Sequence, residues 1–189
     1  MWALVEDSKV SKVYNRPKAI TLGDVNYPSN IFSMWTSSEL EAIGVYEVVI
    51  DNTNYKDPAY YNNTDQSFKF ASNKVTATYG TAKAMPLDDS GSGDTLVRGL
   101  KYQHLKTIDN QAYSLLQPND WMVVRNAESS KAIPSDWLDY RVAVRTAATD
   151  MKTKINAVSD VDALAALYVY NNANPPVRPL GEWPTEPTS

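Results

Sequence analysis

The feature that most constrains this 189-residue chain is a change of hydrophobic period across Pro86-Leu87-Asp88-Asp89-Ser90-Gly91-Ser92-Gly93-Asp94. Before that run, short stretches alternate apolar and polar residues, the two-residue repeat of a half-buried strand. After it, apolar residues recur at spacings of three and four, the stripe of a packed helix. A chain that changes period once, and does not alternate strand with helix, reads as α+β. The expectation is a β-rich domain of short antiparallel strands over 1–86, a flexible linker over 87–94, a helical hairpin over 95–170 and an extended Trp-Pro tail over 171–189.

In the first half, Trp2 to Glu6 and Val10 to Tyr14 flank an Asp7-Ser8-Lys9 turn and predict a hairpin. Ala19 to Leu22 and Val45 to Ile50 predict further strands. Ser37 to Gly44 predicts one or two helical turns with a Ser cap, early acids and a closing glycine. Ser67 to Ala71 and Val75 to Tyr79, joined at Ser72-Asn73-Lys74, form the strongest hairpin signal. Its Phe68 and Phe70 share one face, as do Val75, Ala77 and Tyr79.

In the second half, Val97, Leu100, His104, Ile108, Ala112 and Leu115 form one stripe, with Asp94 as the expected N-cap and Pro118 as the stop. Pro134 opens a second helix carrying Trp137, Tyr140, Val144, Ala147, Met151 and Ile155. Ser159-Asp160 opens a third, which buries Leu164, Leu167 and Tyr168. The end contains Pro175, Pro176, Pro179, Pro184 and Pro187. Such a segment becomes ordered only by lying against something, its own helices or a neighbouring subunit, and the reading favours a neighbour.

Composition narrows the chemistry. Without cysteine, disulfide frameworks, zinc ribbons and thiol enzymes are excluded. The single histidine excludes a multi-histidine metal site, and 7 glycines disfavour a phosphate-cradling loop. Residues 91–189 carry 11 acids against 10 bases, so no basic half exists for nucleic acid. Met1-Trp2-Ala3-Leu4-Val5 lacks a basic start and turns acidic at Glu6, so neither a secretory signal nor membrane insertion is expected. The 12 tyrosines and 5 tryptophans, apolar bodies with polar tips, suit contact surfaces. No catalytic residue, cofactor or metal site is expected.

Four constellations carry a functional reading beside a plain one. His104 is a general base only if an acid and a nucleophile join it; a half-buried histidine bonded to a neighbour is the favoured reading. Asp88, Asp89 and Asp94 lack the oxygen spacing of a calcium loop and read as a solvated acidic linker. Tyr55, Tyr60, Tyr61 and Asn63 can stack and hydrogen-bond a glycan, or simply build a long loop. Arg141 and Arg145 lie one turn apart, with Asp136, Asp139 and Arg125 as possible neighbours, and read as a helix-to-helix pairing.

One pattern resembles a known family. Ala112-Tyr113-Ser114-Leu115-Leu116-Gln117-Pro118-Asn119-Asp120-Trp121 precedes Trp137-Leu138-Asp139-Tyr140-Arg141, and Gly181-Glu182-Trp183-Pro184 closes the chain. Over about 100–187 this resembles the C-terminal module of bacteriophage tail assembly chaperone-like and tail fibre assembly proteins. Met1 to Val5, Tyr27 to Phe32 and Trp35 to Leu40 look like a leader on phage tail and fibre-associated proteins. The resemblance implies Trp121, Trp137, Tyr140, Arg141, Leu115 and Leu116 as the module's core. It implies a viral protein made in a host bacterial cytoplasm and placed in the virion tail. The expected function is a non-enzymatic structural or adaptor protein in several copies (a homo-oligomer, a trimer as first expectation) contacting other phage tail or fibre proteins. Trp183, Pro184, Pro187, Pro175 and Pro176 are its expected interface residues. A transient assembly chaperone and a receptor- or glycan-binding module are the alternatives.

Overall fold

The computed structural model describes residues 1–188 and confirms an α+β chain of two compact units, the first ending at Lys83 and the second starting at Ala84.

In the first unit, β1 (Trp2–Glu6) and β2 (Lys9–Tyr14) form the expected hairpin. Its turn is Asp7-Ser8, with φ of 50° and 61°. Both residues are left-handed, as required by a two-residue turn whose twist matches that of the strands. A second hairpin, β3 (Ile20–Leu22) with β4 (Val25–Tyr27), leads to α1 (Ile31–Met34) and α2 (Ser37–Ala42). The cap of α2 is Thr36 rather than a serine. Its hydroxyl accepts the Glu39 N–H at 3.3 Å, and the Glu39 carboxylate accepts the Thr36 N–H at 2.7 Å. That reciprocal box satisfies two otherwise orphaned donors and holds the Glu39 carboxyl below its ordinary pKa.

The remaining strands are β5 (Val45–Asp51), β6 (Tyr61–Asn62), β7 (Gln66–Ala71), β8 (Lys74–Tyr79) and β9 (Lys83–Ala84). Three of them join the first hairpin in one five-stranded sheet, in the order β2-β1-β5-β8-β7, and β6 pairs with β9. The pairing of β5 with β8 is parallel, from Val48 opposite Val75 to Asp51 opposite Thr78, so the sheet is mixed and not wholly antiparallel. A two-residue apolar repeat is the same for either direction, which is why the pattern could not show it. The outer strands β2 and β7 come together, so the sheet curls on itself. Ala3, Val48, Val75 and Ala77 are buried on the inner face with Phe68 and Phe70 packed beside them. On the other face, Leu4, Tyr14 and Val45 pack under Ile20, Ile31, Phe32 and Leu40.

The second unit opens with an ordered loop where a flexible linker was expected. Ser90 and Val97 exchange backbone hydrogen bonds at 2.9 and 2.7 Å across a tight turn at Gly93–Thr95. Asp89 accepts the Gly99 N–H at 2.8 Å and pairs with Arg98 at 2.5 Å, while Asp88 pairs with Lys101 at 3.0 Å. Asp88 and Asp89 are therefore tied to bases and backbone. The next helix, α3 (Leu100–Leu116), is capped at Gly99 and not at Asp94. The carbonyls of Pro86 and Leu87 take the N–H groups of Leu100 and Lys101, each at 2.9 Å. A side chain at Gly99 would place its Cβ 2.5 Å from the Asp88 backbone, so only glycine fits there.

A single 3-10 turn at Gln117–Asn119 separates α3 from α4 (Asp120–Ser129); α5 (Ser135–Ala157) and α6 (Val161–Ala166) follow. Helix α6 is capped by Asp160, which accepts the Ala163 N–H at 2.7 Å. Asp109 meets Lys152, and Leu116 meets Arg141, so α3 and α5 run antiparallel as a helical hairpin. The core is Leu100 and Ile108 against Tyr140, Val144, Ala148, Met151 and Ile155, closed by Val161, Leu164 and Leu180. Ala148 takes the inward position expected of Ala147. Among the described residues no helix is long and apolar enough to cross a membrane.

Candidate functional site

The Pro-rich end is built into the second unit. Asn171 turns it back: its side-chain oxygen accepts the N–H groups of Ala173 and Val177 at 3.1 and 3.0 Å, and its own N–H donates to the Val177 carbonyl at 2.9 Å. Pro175 and Pro176 stand exposed in the loop so closed. Leu180 then enters the core at 1 % exposure, its N–H bonded to the Leu167 carbonyl at 2.9 Å. The Lys154 ammonium on α5 donates to the carbonyls of Pro179 and Leu180, at 2.9 and 3.1 Å. Arg178 pairs with Glu182 at 3.2 Å. The Trp183 indole N–H donates to the Gln111 side chain on α3 at 3.1 Å. Half-buried Pro184 lies beside Asp139, Val142 and Ala143 of α5. Burial first, and the Glu186 carboxylate second, push the Tyr140 hydroxyl above its ordinary pKa.

Trp183, Pro184 and Pro187 were expected against a neighbour. Trp183 and Pro184 lie instead on the unit's own helices, and Pro187 is half-buried. The physical reason is the anchor at Leu180: once that side chain fills the space between α5 and α6, the residues after it follow the surface of the helical pair. Pro175 and Pro176 remain open to solvent.

The expected aromatic core divides. Tyr140 is buried, and Trp137 packs edge-on against it at 5.9 Å while half-exposed. Leu115 and Leu116 are half-buried. Trp121 is 53 % exposed and carries the Arg125 guanidinium over its ring at 4.7 Å, so it is no core residue. Arg141 decides this. At 4 % exposure it donates to the Leu116 carbonyl at 3.1 Å, to the side-chain oxygen of Asn119, and to the Asp120 carboxylate at 2.7 Å. Fixing Asp120 toward α5 turns the next residue, Trp121, away from it. Asp120, and not Asp136, Asp139 or Arg125, is the partner. The pairing does join two helices, as expected.

The other constellations serve structure. His104 shares a 2.6 Å hydrogen bond with the Tyr168 hydroxyl, and burial pushes its pKa down. The Asn63 amide is taken up by the Lys56 backbone, donating to its carbonyl at 2.7 Å and accepting its N–H at 2.9 Å. Lys56 lies over the Tyr61 ring, Tyr55 packs on Tyr79 at 5.0 Å, and burial raises the Tyr60 hydroxyl pKa. This tyrosine loop is held by its own amides and rings. Among the described residues no three His, Cys, Asp or Glu side chains are placed to hold a metal ion.

Sequence reasoning missed Asn119, Gln111, Lys154 and Leu180. Their roles depend on partners 13 to 72 positions away, and no local pattern marks them. Comparison of the chain with protein-family models, with curated proteins and with solved structures gives no match.

Proposed function

We propose that this chain is a non-enzymatic structural or adaptor protein of a bacteriophage tail or tail fibre, acting in several copies through protein–protein contacts. The phage setting rests on the resemblance of residues 100–187 to tail fibre assembly modules. The observation that carries the contact role is the placement of apolar side chains in solvent on a compact helical unit. On α4, Trp121 and Val124 share a face at 53 % and 54 % exposure; on α5, Leu138 and Val142 do so at 50 % and 55 %. Large apolar side chains left outward in pairs favour burial against a partner.

Magnitude favours many copies over one strong pair. Covering these four side chains removes roughly 300 Å2 of apolar surface from water, worth about 7 kcal/mol. Association costs about 4–15 kcal/mol in lost freedom, so one such contact is weak and repeated contacts in one assembly give it strength.

Sedimentation of the purified full chain tests the contact role. A concentration-dependent oligomer that dissociates in Trp121→Glu and in Val142→Glu supports it, and a monomer at every concentration overturns it. Quantitative mass spectrometry of purified particles tests the place in the virion. A stoichiometric signal supports a structural part, and its absence overturns that placement.

A further inference from the structure

A second surface of the helical unit has a different chemistry. Between α3 and the returning tail lies an open cleft of about 460 Å3. That volume falls within the range of small-ligand sites, roughly 300–1,000 Å3. One wall is a polar strip on α3, two residues wide at its middle, in which Asn110 and Gln111 each lie three or four positions from Thr107 and from Ser114, about 10 Å long at the helical rise. The tail contributes the Trp183 ring, whose N–H edge is held by the Gln111 oxygen, and Arg178.

The hydrogen-bonding capacity of that row is specific. Thr107 and Ser114 spend their hydroxyl protons on the carbonyls of Gln103 and Asn110, each at 2.9 Å, and so turn only acceptor lone pairs outward. Gln111 gives its oxygen to Trp183 and keeps its NH2 as a donor. Asn110 offers both a donor and an acceptor, with no partner among the described residues. The Arg178 charge is offset by Glu182 at 3.2 Å, so the pair brings no net charge to the cleft. The result is a neutral set of donors and acceptors beside a flat indole held at its edge by Gln111, with Leu115 also lining the cleft.

We infer that this cleft binds a short neutral saccharide. A sugar ring presents hydroxyls that both donate and accept along its edge and a C–H face that packs on an aromatic ring, which matches the two walls. A charged ligand finds no uncompensated partner here. An extended peptide needs an apolar pocket for every second side chain, and the polar α3 row supplies none. This inference goes beyond the assembly role and does not rest on it.

Saturation-transfer NMR on the full chain tests it, using maltose, cellobiose, lactose and N,N′-diacetylchitobiose as probes. At least one is expected to bind saturably, with a Kd of about 1 mM. Trp183→Ala removes the stacking wall and Ser114→Leu fills the cleft from an exposed position that leaves the core alone. Each is expected to weaken binding at least about tenfold. Tyr55→Ala, in the other unit, is expected to leave binding unchanged. The inference is overturned if no probe binds up to about 50 mM. Binding that survives Ser114→Leu, binding lost in Tyr55→Ala, or a neutral alanine tetrapeptide that binds more tightly than every saccharide also overturns it.

Discussion

The Arg141 guanidinium on α5 reaches the Asp120 carboxylate at the start of α4 at 2.7 Å, and on the way it bonds the Leu116 carbonyl and the Asn119 side chain. One buried cation thus fixes the end of α3, the turn after it and the rotation of α4. Asn119 is 1 % exposed, so removing Arg141 strands two polar groups, of which one side chain is deeply buried. Each group so orphaned costs about 1–3 kcal/mol. Asp120 is half in water, yet losing its carboxylate leaves the buried Arg141 guanidinium without its counter-charge, and breaking a buried pair in this way costs about 3–5 kcal/mol. Arg141→Ala and Asp120→Ala are therefore both expected to destabilise the chain clearly, and the double variant by less than the sum of the two. Urea midpoints of the single and double variants check this, and a parent-like midpoint for either single variant would refute this account of Arg141.

The tail is expected to matter for folding. Leu180 is among the most buried side chains of its unit, and Leu180→Ala is expected to cost about 2–5 kcal/mol. Deleting residues 176–189 should lower the melting temperature at least as far. An unchanged melting curve after the deletion would mean that the segment is not packed on its helices.

Large aromatics of the helical unit are expected to rank by burial. Tyr140→Ala, at 5 % exposure, should cost about 3–5 kcal/mol and half-exposed Trp137→Ala less. Trp121→Ala should stay within about 0.5 kcal/mol of the parent. Thermal denaturation of the three variants supplies the ranking, and a large loss for Trp121→Ala would place that ring in the core.

Burial holds the His104 pKa below its ordinary 6.5, so between its folded value and 6.5 the unfolded chain binds more protons than the folded one. This contribution to stability is present above pH 6.5 and is lost as pH falls through that window. His104→Gln is expected to flatten the dependence of the melting temperature between about pH 7.5 and 5.5. The carboxyls of Glu39, Asp51 and Asp89, held low by hydrogen bonds, lose their contribution only at more acidic pH. A slope near neutrality that survives His104→Gln would assign it to another group.

The Asp7-Ser8 turn places two non-glycine residues in the left-handed region. Ser8→Gly relieves about 1 kcal/mol of that cost, since glycine adopts the conformation freely. A raised urea midpoint is the expected result, and a lowered one would show that Ser8 contributes more than its backbone geometry.

The legible parts of this protein are those decided over a few residues. The hairpin at Asp7-Ser8, the paired faces of Phe68 with Phe70 and Val75 with Ala77, and the stripe from Tyr140 to Ile155 all follow from period and turn chemistry. The Asp89–Arg98 pair shows where that ends. A run of Gly, Ser and Asp has the composition of a flexible linker, and only the meeting of Asp89 with Arg98 and Gly99 makes it an ordered helix cap. Trp121 shows the same limit, since its spacing suited a core and the distant Arg141 turned it outward.

Alternation and stripe, set by backbone geometry within each segment, were enough for the sequence to determine the class of each element and an α+β chain with one change of period. Strand direction between β5 and β8, the seating of Leu180 on α5 and α6, and the union of Trp183 with the polar row of α3 were decided only in the tertiary structure. These contacts join residues far apart in the chain. Their free energy depends on which surfaces meet, and no local pattern encodes that choice.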